Sequence, residues 1–322
     1  MAREHSAKKV GGIVYKFIIK RLLLLIPVLF GVTLIIFVFM SITPGNPGRA
    51  ILGATAPEEA VVAFNEQIGY YDPFIVRYGR FITGLLRFDF GTSYTSKTSV
   101  VEEIGKRFTV TLNIALFSML FAVLIGVPLG ILSAVKQYSA ADYISRVMSI
   151  TLAAIPFFWL GLMMIFIFAL KLRWLPAYGA ATIRHYVLPT VALGIPYAAR
   201  QLRMTRSCML ETIRQDYIRT ARAKGAFEQT VVWRHAFKNA LLPIITMIGM
   251  QFGGLLGGAI VTESVFSMQG LGTYLVAGIR TLDVPAVMGT VVVLAVAFCL
   301  VMLIVDVLYA LIDPRIRARY TK

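Results

Sequence analysis

The sequence predicts an all-α, polytopic membrane protein with six transmembrane helices, and three observations predict it. Hydrophobic residues make up 58% of the 322 residues and charged residues only 15%, whereas a soluble domain carries about 45–50% and about 25%. Six stretches approach or exceed the roughly 20 apolar residues that a bilayer-crossing helix needs. Laid across a membrane, those stretches place most of the basic residues on one side, as the positive-inside rule requires. A disordered chain, a disulfide scaffold and an ordinary cytosolic enzyme are excluded.

Leu22–Ile42 is the first uncharged stretch, and 108–135, 147–170, 239–262 and 284–305 follow. The weakest, 186–199, holds Pro189 and Pro196, continues through Leu202, and reads as a proline-kinked span. Lys8, Lys9, Lys20 and Arg21 precede the first stretch as they would a signal peptide. It exceeds the roughly 7–15 residues of a signal's apolar region and lacks a small-residue cleavage site, so it reads as a retained helix.

The net charge of +16 would point to nucleic acid in a soluble protein. Six spans put both termini on one side. With that side cytoplasmic, 21 of the 32 basic residues lie inside and 11 outside, nine of the inner ones within 200–238. Topology then accounts for the sign of the charge, and no nucleic-acid partner is called for.

Catalytic patterns are missing. Cys208 and Cys299 are too few for a framework or a metal site, and His5, His185 and His235 form no ligand-spaced cluster. Gly105-Lys106 lacks the upstream glycine and the following Ser/Thr of a phosphate-binding loop. Asp306 alone sits inside an apolar run, close to its inner boundary. Uphill transport by this chain would therefore draw its energy from another polypeptide. A membrane enzyme is disfavoured, and a secondary transporter or channel working alone is the alternative.

The chain divides into 1–107 (N-terminal segment, first span and an external cap), a five-helix core over 108–312, and a tail at 313–322. In the inner loop, 200–238, Leu210, Ile213, Tyr217 and Ala221 form one helical stripe with Arg214, Arg219 and Arg222 off it. Gly225 suits a helix stop, and a second short helix is expected before the fifth span. This loop is either a solvated connector or a docking surface. Gly249, Gly253 and Gly257 recur at every fourth position of the fifth span, with Gly254 and Gly258 beside them, and Gly126 and Gly130 repeat the spacing. Such a face serves close helix packing or lines a solute path.

Taken together, these segments resemble a known family. Asp216-Tyr-Ile-Arg-Thr-Ala-Arg-Ala-Lys-Gly225 followed by Arg234-His235-Ala236-Phe-Lys-Asn239-Ala240-Leu241-Leu242-Pro243 resembles the cytoplasmic signature loop of ABC-importer permeases, in the dipeptide/oligopeptide/nickel branch. Arg21 to Pro27, Thr43-Pro-Gly-Asn-Pro47, Ile155-Pro156-Phe-Phe-Trp159-Leu-Gly161 and Trp174-Leu-Pro176 carry the likeness towards the N-terminus. Glu263-Ser-Val-Phe266, Gly270-Leu-Gly272, Asp306-Val-Leu-Tyr309 and Asp313-Pro314-Arg315 extend it to the end. One departure stands out. Where the general importer loop has Glu-Ala-Ala, this chain has Arg219, Thr220 and Ala221, with the pattern's glycine at Gly225. An acidic coupling contact therefore does not transfer to Arg219.

The resemblance implies a type I ABC-importer permease fold in a bacterial or archaeal cytoplasmic (inner) membrane, with both termini cytoplasmic. It implies a second homologous permease, two cytoplasmic ABC ATPases that carry ATP and Mg, and an extracytoplasmic solute-binding protein. No cofactor or metal belongs to this chain, which is not itself an enzyme. Dipeptides or oligopeptides are the implied solutes, with glutathione-type compounds or nickel chelates as alternatives within the family. The implied coupling residues are Arg219, Thr220, Ala221, Arg222, Lys224, Gly225, Ala226 and Glu228. Gly249, Gly253, Gly254, Gly257 and Gly258 are helix-interface or pathway positions, and Glu263, Phe266, Gly270 and Gly272 mark the outer loop.

Overall fold

A computed structural model describes residues 2–312, with side chains described for Ile19 and for 22–308. The expected tail, 313–322, lies outside the described residues, as do the side chains of Lys8, Lys9, Lys20, Arg21 and Tyr309. In chain order the helices are α1 (Ala2–Ile42), α2 (Pro47–Leu52), α3 (Glu58–Gln67), α4 (Phe74–Leu85), α5 (Val100–Val135), α6 (Ala140–Ala154) and α7 (Phe157–Met164). There follow α8 (Arg184–Ile213), α9 (Asp216–Ala223), α10 (Glu228–Thr230), α11 (Lys238–Val265), α12 (Leu271–Thr281) and α13 (Val284–Ile312). Two π-helical stretches, Ile165–Lys171 and Val231–Phe237, extend α7 and join α10 to α11.

By length and apolarity four described helices can cross a membrane: α1 over Leu22–Ile42, α5, Glu228–Val265 and α13 over Val284–Leu308. The bent pair of α6 and the helix Phe157–Lys171 adds a fifth if it crosses as one broken span. The span expected over 147–170 falls on this bent pair. Ile155 stands before a proline, which disfavours helical ψ. It adopts φ −75°, ψ 126°, and the two arms meet at 92°. The sixth expected span lies within α8, a single helix that runs through both Pro189 and Pro196. At 30 residues α8 is long enough to cross, yet its composition does not pass as membrane-spanning. Fifteen of its residues are buried, and it packs on α6, α7 and α11. A helix shielded by other helices rather than lipid has no need of an apolar surface all round.

The described residues gather into two compact units. One is built on Leu112–Met268 with the far end of α13 from Val301, and the other joins Ile18–Thr111 to Gln269–Leu300. In the first, glycines bring backbones together. A Cβ on Gly126 would stand 2.6 Å from the Ala198 carbonyl oxygen, and one on Gly130 2.7 Å from that of Leu202, so α5 and α8 meet with nothing between them.

In the second unit, polar side chains tie the cap together. Asn46 caps α2 by accepting from the Arg49 amide at 3.1 Å, and the buried Asn65 accepts from the Gly48 amide at 2.9 Å. Asp283, 1% exposed, accepts from the Ser93 hydroxyl at 2.6 Å, the Thr95 amide at 3.1 Å and the Ala286 amide at 3.2 Å. It thus holds the 93–95 turn and serves the free amides at the start of α13. Phe37, Tyr78 and Met288 form an aromatic core with Phe74, Phe81 and Ile82 around it. A cavity of about 260 Å³ beside this core is lined by Phe37, Tyr70, Arg77, Arg80 and Tyr94 among others, and burial pushes the Tyr94 hydroxyl up to about 12.

Candidate functional site

The inner segment is built on α9. Gln215 is extended (φ −72°, ψ 150°), which separates α8 from α9 and breaks the single stripe expected through Leu210, Ile213, Tyr217 and Ala221. The break shifts the register, so Ile218 is fully buried while Tyr217 is 45% exposed. Ile218 enters a core shared by Ile131 and Ala134 of α5, Met209 of α8, Val231 and Ala236, and Ile244 of α11, with Ala221 and Ala226 packed against it. One helix of eight residues thereby packs on the π-helical stretch Val231–Phe237, at a core shared by three long helices.

Gly225 ends α9 as its sequence position implies. Its φ is +80°, its amide donates to the Arg222 carbonyl at 2.9 Å, and the Ala226 amide donates to the Ala221 carbonyl at 3.2 Å. The two bonds together are the Schellman arrangement, which favours glycine for its left-handed residue. Arg222 already has an internal partner, since its Nε and Nη2 donate to the two Glu228 carboxylate oxygens at 3.0 and 2.6 Å. That fork bridges the turn from α9 to α10. Arg219 reaches Asp216 only loosely, at 3.8 Å. Thr220 bonds back to the Asp216 carbonyl, and Lys224 is exposed. Phe227 at 84% and Trp233 at 56% leave large rings uncovered beside these charges.

The glycines of α11 divide by neighbour. A Cβ on Gly249 would stand 2.6 Å from Val305 of α13, one on Gly254 2.7 Å from the Tyr197 hydroxyl, and one on Gly258 2.7 Å from Leu193 of α8. Gly257 meets nothing within 4 Å, and Gly253 is half-buried. Between α8 and α11 a cavity of about 520 Å³ is lined by Tyr197, Arg200, Arg203, Met204, Gln251 and Gly254 together with Ser207, Met247 and Met250. Gln251 donates to Gln201 at 3.3 Å there, and its own Oε1 is buried without a partner.

Of the outer-loop residues, Glu263 and Phe266 are buried at 0% and 2%. The Glu263 carbonyl accepts from the Met268 amide at 2.8 Å, the Phe266 carbonyl accepts from the Gly179 amide at 3.1 Å, and the Phe266 ring lies against Gly161. Gly270 precedes α12 and accepts at its carbonyl from Thr273, while Gly272 is buried within α12. These positions shape backbone turns.

Sequence reasoning missed one buried ion pair. Asp142, fully buried, accepts from Arg206 Nε at 2.7 Å and Nη2 at 3.0 Å, from the Ser133 hydroxyl at 2.6 Å and from the Tyr138 amide at 3.0 Å. It links the C-terminal parts of α5 and α8 to the first turn of α6. The available signal was the Ser139 cap of α6, which places Asp142 in the first turn, but nothing local names Arg206 as partner. Asp306 is buried in α13. Among the described residues no group of three His, Cys, Asp or Glu could hold a metal ion.

Residues 126–318 match the family described as binding-protein-dependent transport system inner membrane component, and residues 14–115 match its N-terminal companion. The dipeptide transport system permease protein DppB of Alkalihalophilus pseudofirmus is 41% identical, over 94% of this chain and 99% of its own length. The glutathione transport system permease protein GsiC is 42% identical in Salmonella typhimurium and 40% in Escherichia coli K12, each over 94% of this chain and 98% of the relative. Among solved structures, a chain of the inward-facing MetNI methionine ABC transporter superposes with a TM-score of 0.55 at 22% identity, covering 66% of this chain and 96% of that one.

Proposed function

The chain belongs to the binding-protein-dependent transport system inner membrane components, as the permease of an ABC importer and not its catalytic subunit, and from that premise we propose that it imports small peptides. Its relatives' names point to dipeptides and glutathione, which share a free carboxylate and peptide bonds. The Arg200 and Arg203 side chains, with Gly254 at the wall of the cavity between α8 and α11, suit such a carboxylate on its way through. A solitary secondary transporter or channel is not favoured, because the relatives are ABC transport permeases.

In this reading two cytoplasmic ATPases carry ATP and Mg, a second permease completes the pathway, and an extracytoplasmic binding protein delivers the solute. Both termini face the cytoplasm, in keeping with the basic residues of 200–238. Arg219 to Glu228 is the coupling segment, grasped by an ATPase through Phe227, Arg219 and Lys224, while the Arg222–Glu228 fork keeps its turn rigid. Gly257 and Gly253 face the second permease or the pathway. Glu263, Phe266, Gly270 and Gly272 shape the outer rim, 1–107 adds a cap, and 108–312 forms the transport core.

The single observation that carries the coupling role is Ile218, which buries α9 in a core that α5, α8 and α11 share and whose direct packing is on the stretch 231–237 leading into α11. In this reading a push on α9 passes through the stretch 231–237 to α11 and into the core it shares with α5 and α8, as alternating access requires. The test uses the assembled transporter in proteoliposomes, with ATP inside and labelled dipeptide plus binding protein outside. Gly225→Pro, which cannot adopt φ +80°, and Ala221→Glu should abolish uptake while the permease still inserts. Normal uptake in both would end the coupling role. Gly253→Leu should block uptake or assembly, and full activity would reduce that face to packing. Peptide flux by the chain alone, without ATP, would overturn the importer reading for this protein.

A further inference from the structure

The transport reading leaves α4 unused, and α4 is unlike the rest of the cap. One face, with Phe74, Tyr78, Phe81 and Ile82, joins the aromatic core. The other presents Ile75 at 81% exposure and Val76 at 46%, continued past its end by Leu86 at 77% and Phe88 at 84%. These four large side chains mark the two ends of the outer face, about three turns apart, with Gly79, Arg80 and Thr83 exposed between them and Arg87 beside Leu86.

Two internal rulers give the depth of this helix. The Tyr78 hydroxyl lies 3.0 Å from the Thr33 hydroxyl and donates to the Phe30 carbonyl at 3.3 Å. At about 1.5 Å per residue, Thr33 and Phe30 sit about 14 and about 18 Å down α1 from Ile42, where the first span ends. On the same scale Met288, in the same core as Tyr78, is about 6 Å inside the start of α13. Both rulers place Tyr78 within the roughly 30 Å of hydrocarbon that these spans cross. Two of the arginines, Arg77 and Arg80, turn back towards the boundary. Arg77 Nη2 donates to Ser41 Oγ at 3.2 Å, next to Ile42, and Arg80 Nη2 reaches Asp72, ahead of the helix, at 2.6 Å. Such reach from a buried stem to a polar level is how long cationic side chains behave at a membrane surface. Gly84 and Asp89 line the same cavity as Pro47 and Tyr70, so the far end of α4 returns to the cap.

We propose that α4 and Phe88 lie against the lipid-facing side of α1, with the two apolar ends of the outer face of α4 in contact with acyl chains of the leaflet from which the cap emerges. The occupant is lipid because that face continues the outside of α1, of which only 11% is buried over Leu22–Ile42 and where Ile26, Phe30 and Phe39 are exposed. An amphipathic helix with arginines at its polar edge is the form that lies in this layer. The inference rests on the membrane setting of α1 and α13 and not on the coupling role of α9.

The test is a nitroxide depth measurement on the full chain in liposomes, with Cys208→Ser and Cys299→Ser as background. Single labels at Ile75→Cys, Leu86→Cys and Phe88→Cys are compared with Phe30→Cys in the first span and Ser96→Cys, exposed in the 95–97 part of the cap turn. Collision with oxygen reports lipid, and collision with a water-soluble nickel chelate reports solvent. The three α4-region labels should resemble Phe30→Cys, with an oxygen-to-nickel ratio several-fold above that of Ser96→Cys. Nickel accessibility equal to that of Ser96→Cys would overturn the proposal in favour of a solvated cap. Shielding from both reagents would overturn it in favour of a protein contact.

Discussion

The cap and the inner segment are both polar excursions from a membrane core, and they are held in opposite ways. Within the cap, buried acceptors organise the backbone: Asp283 gathers donors from Ser93, Thr95 and Ala286, and Asn65 holds Gly48. In the inner segment only Ile218 of α9 is buried, while Arg219, Lys224 and Phe227 stand in the open. Many short polar ties fix a shape against deformation. A rigid short helix on one apolar anchor instead passes force to whatever that anchor touches. The difference separates a region built to keep its form from a region suited to the push that the proposed coupling role requires.

The largest effect expected from breaking this contrast comes from Ile218. Ile218→Ala removes a fully buried side chain and should cost about 2–5 kcal/mol in the stability of the inner core. Ile218→Asp adds a buried unpaired charge and should abolish both uptake and stable assembly. Thermal denaturation in detergent and vesicle uptake measure the two. Next comes Asp283→Ala, which leaves three donors without their acceptor, each buried donor so stranded costing about 1–3 kcal/mol. Faster hydrogen exchange in 93–97 with unchanged ATP hydrolysis by the complex would sharpen the contrast, whereas lost ATPase coupling would erase it. Gly225→Ala places a Cβ in left-handed backbone with open space around it, so about 1–2 kcal/mol of strain and partial uptake are expected. The smallest change is Arg222→Ala. Its fork with Glu228 is exposed on both sides, worth about 0–1 kcal/mol in stability. Any larger loss in uptake then reports rigidity of the turn, read as a coupling ratio of peptide moved per ATP.

Much of this architecture is legible in the sequence because its causes are local. Gly225 announces a helix stop through the single conformation it favours, and the uncharged runs announce spans. The 92° bend at Pro156 was masked because apolarity continues across it: hydrophobic content records the surroundings of a segment and not its direction. Tyr217 in place of Ile218 as the buried residue is a register error, caused by one extended residue, Gln215, that periodicity cannot see. The Asp142–Arg206 pair and the bond of Tyr78 to Thr33 join positions far apart in the chain, and no local signal specifies such partners. For the glycines of α11, spacing revealed that backbones approach, but not that Gly249 faces α13 while Gly254 and Gly258 face α8.

The modest apolarity of α8 bears on how the protein is made. A segment with Arg200, Arg203 and Arg206 and two prolines has little tendency to leave water for lipid on its own account. Its counter-charge, Asp142, lies in α6, earlier in the chain. The placement of α8 during synthesis therefore depends on helices that have already emerged, and a chain from which α6 and α7 are deleted should leave it outside the bilayer.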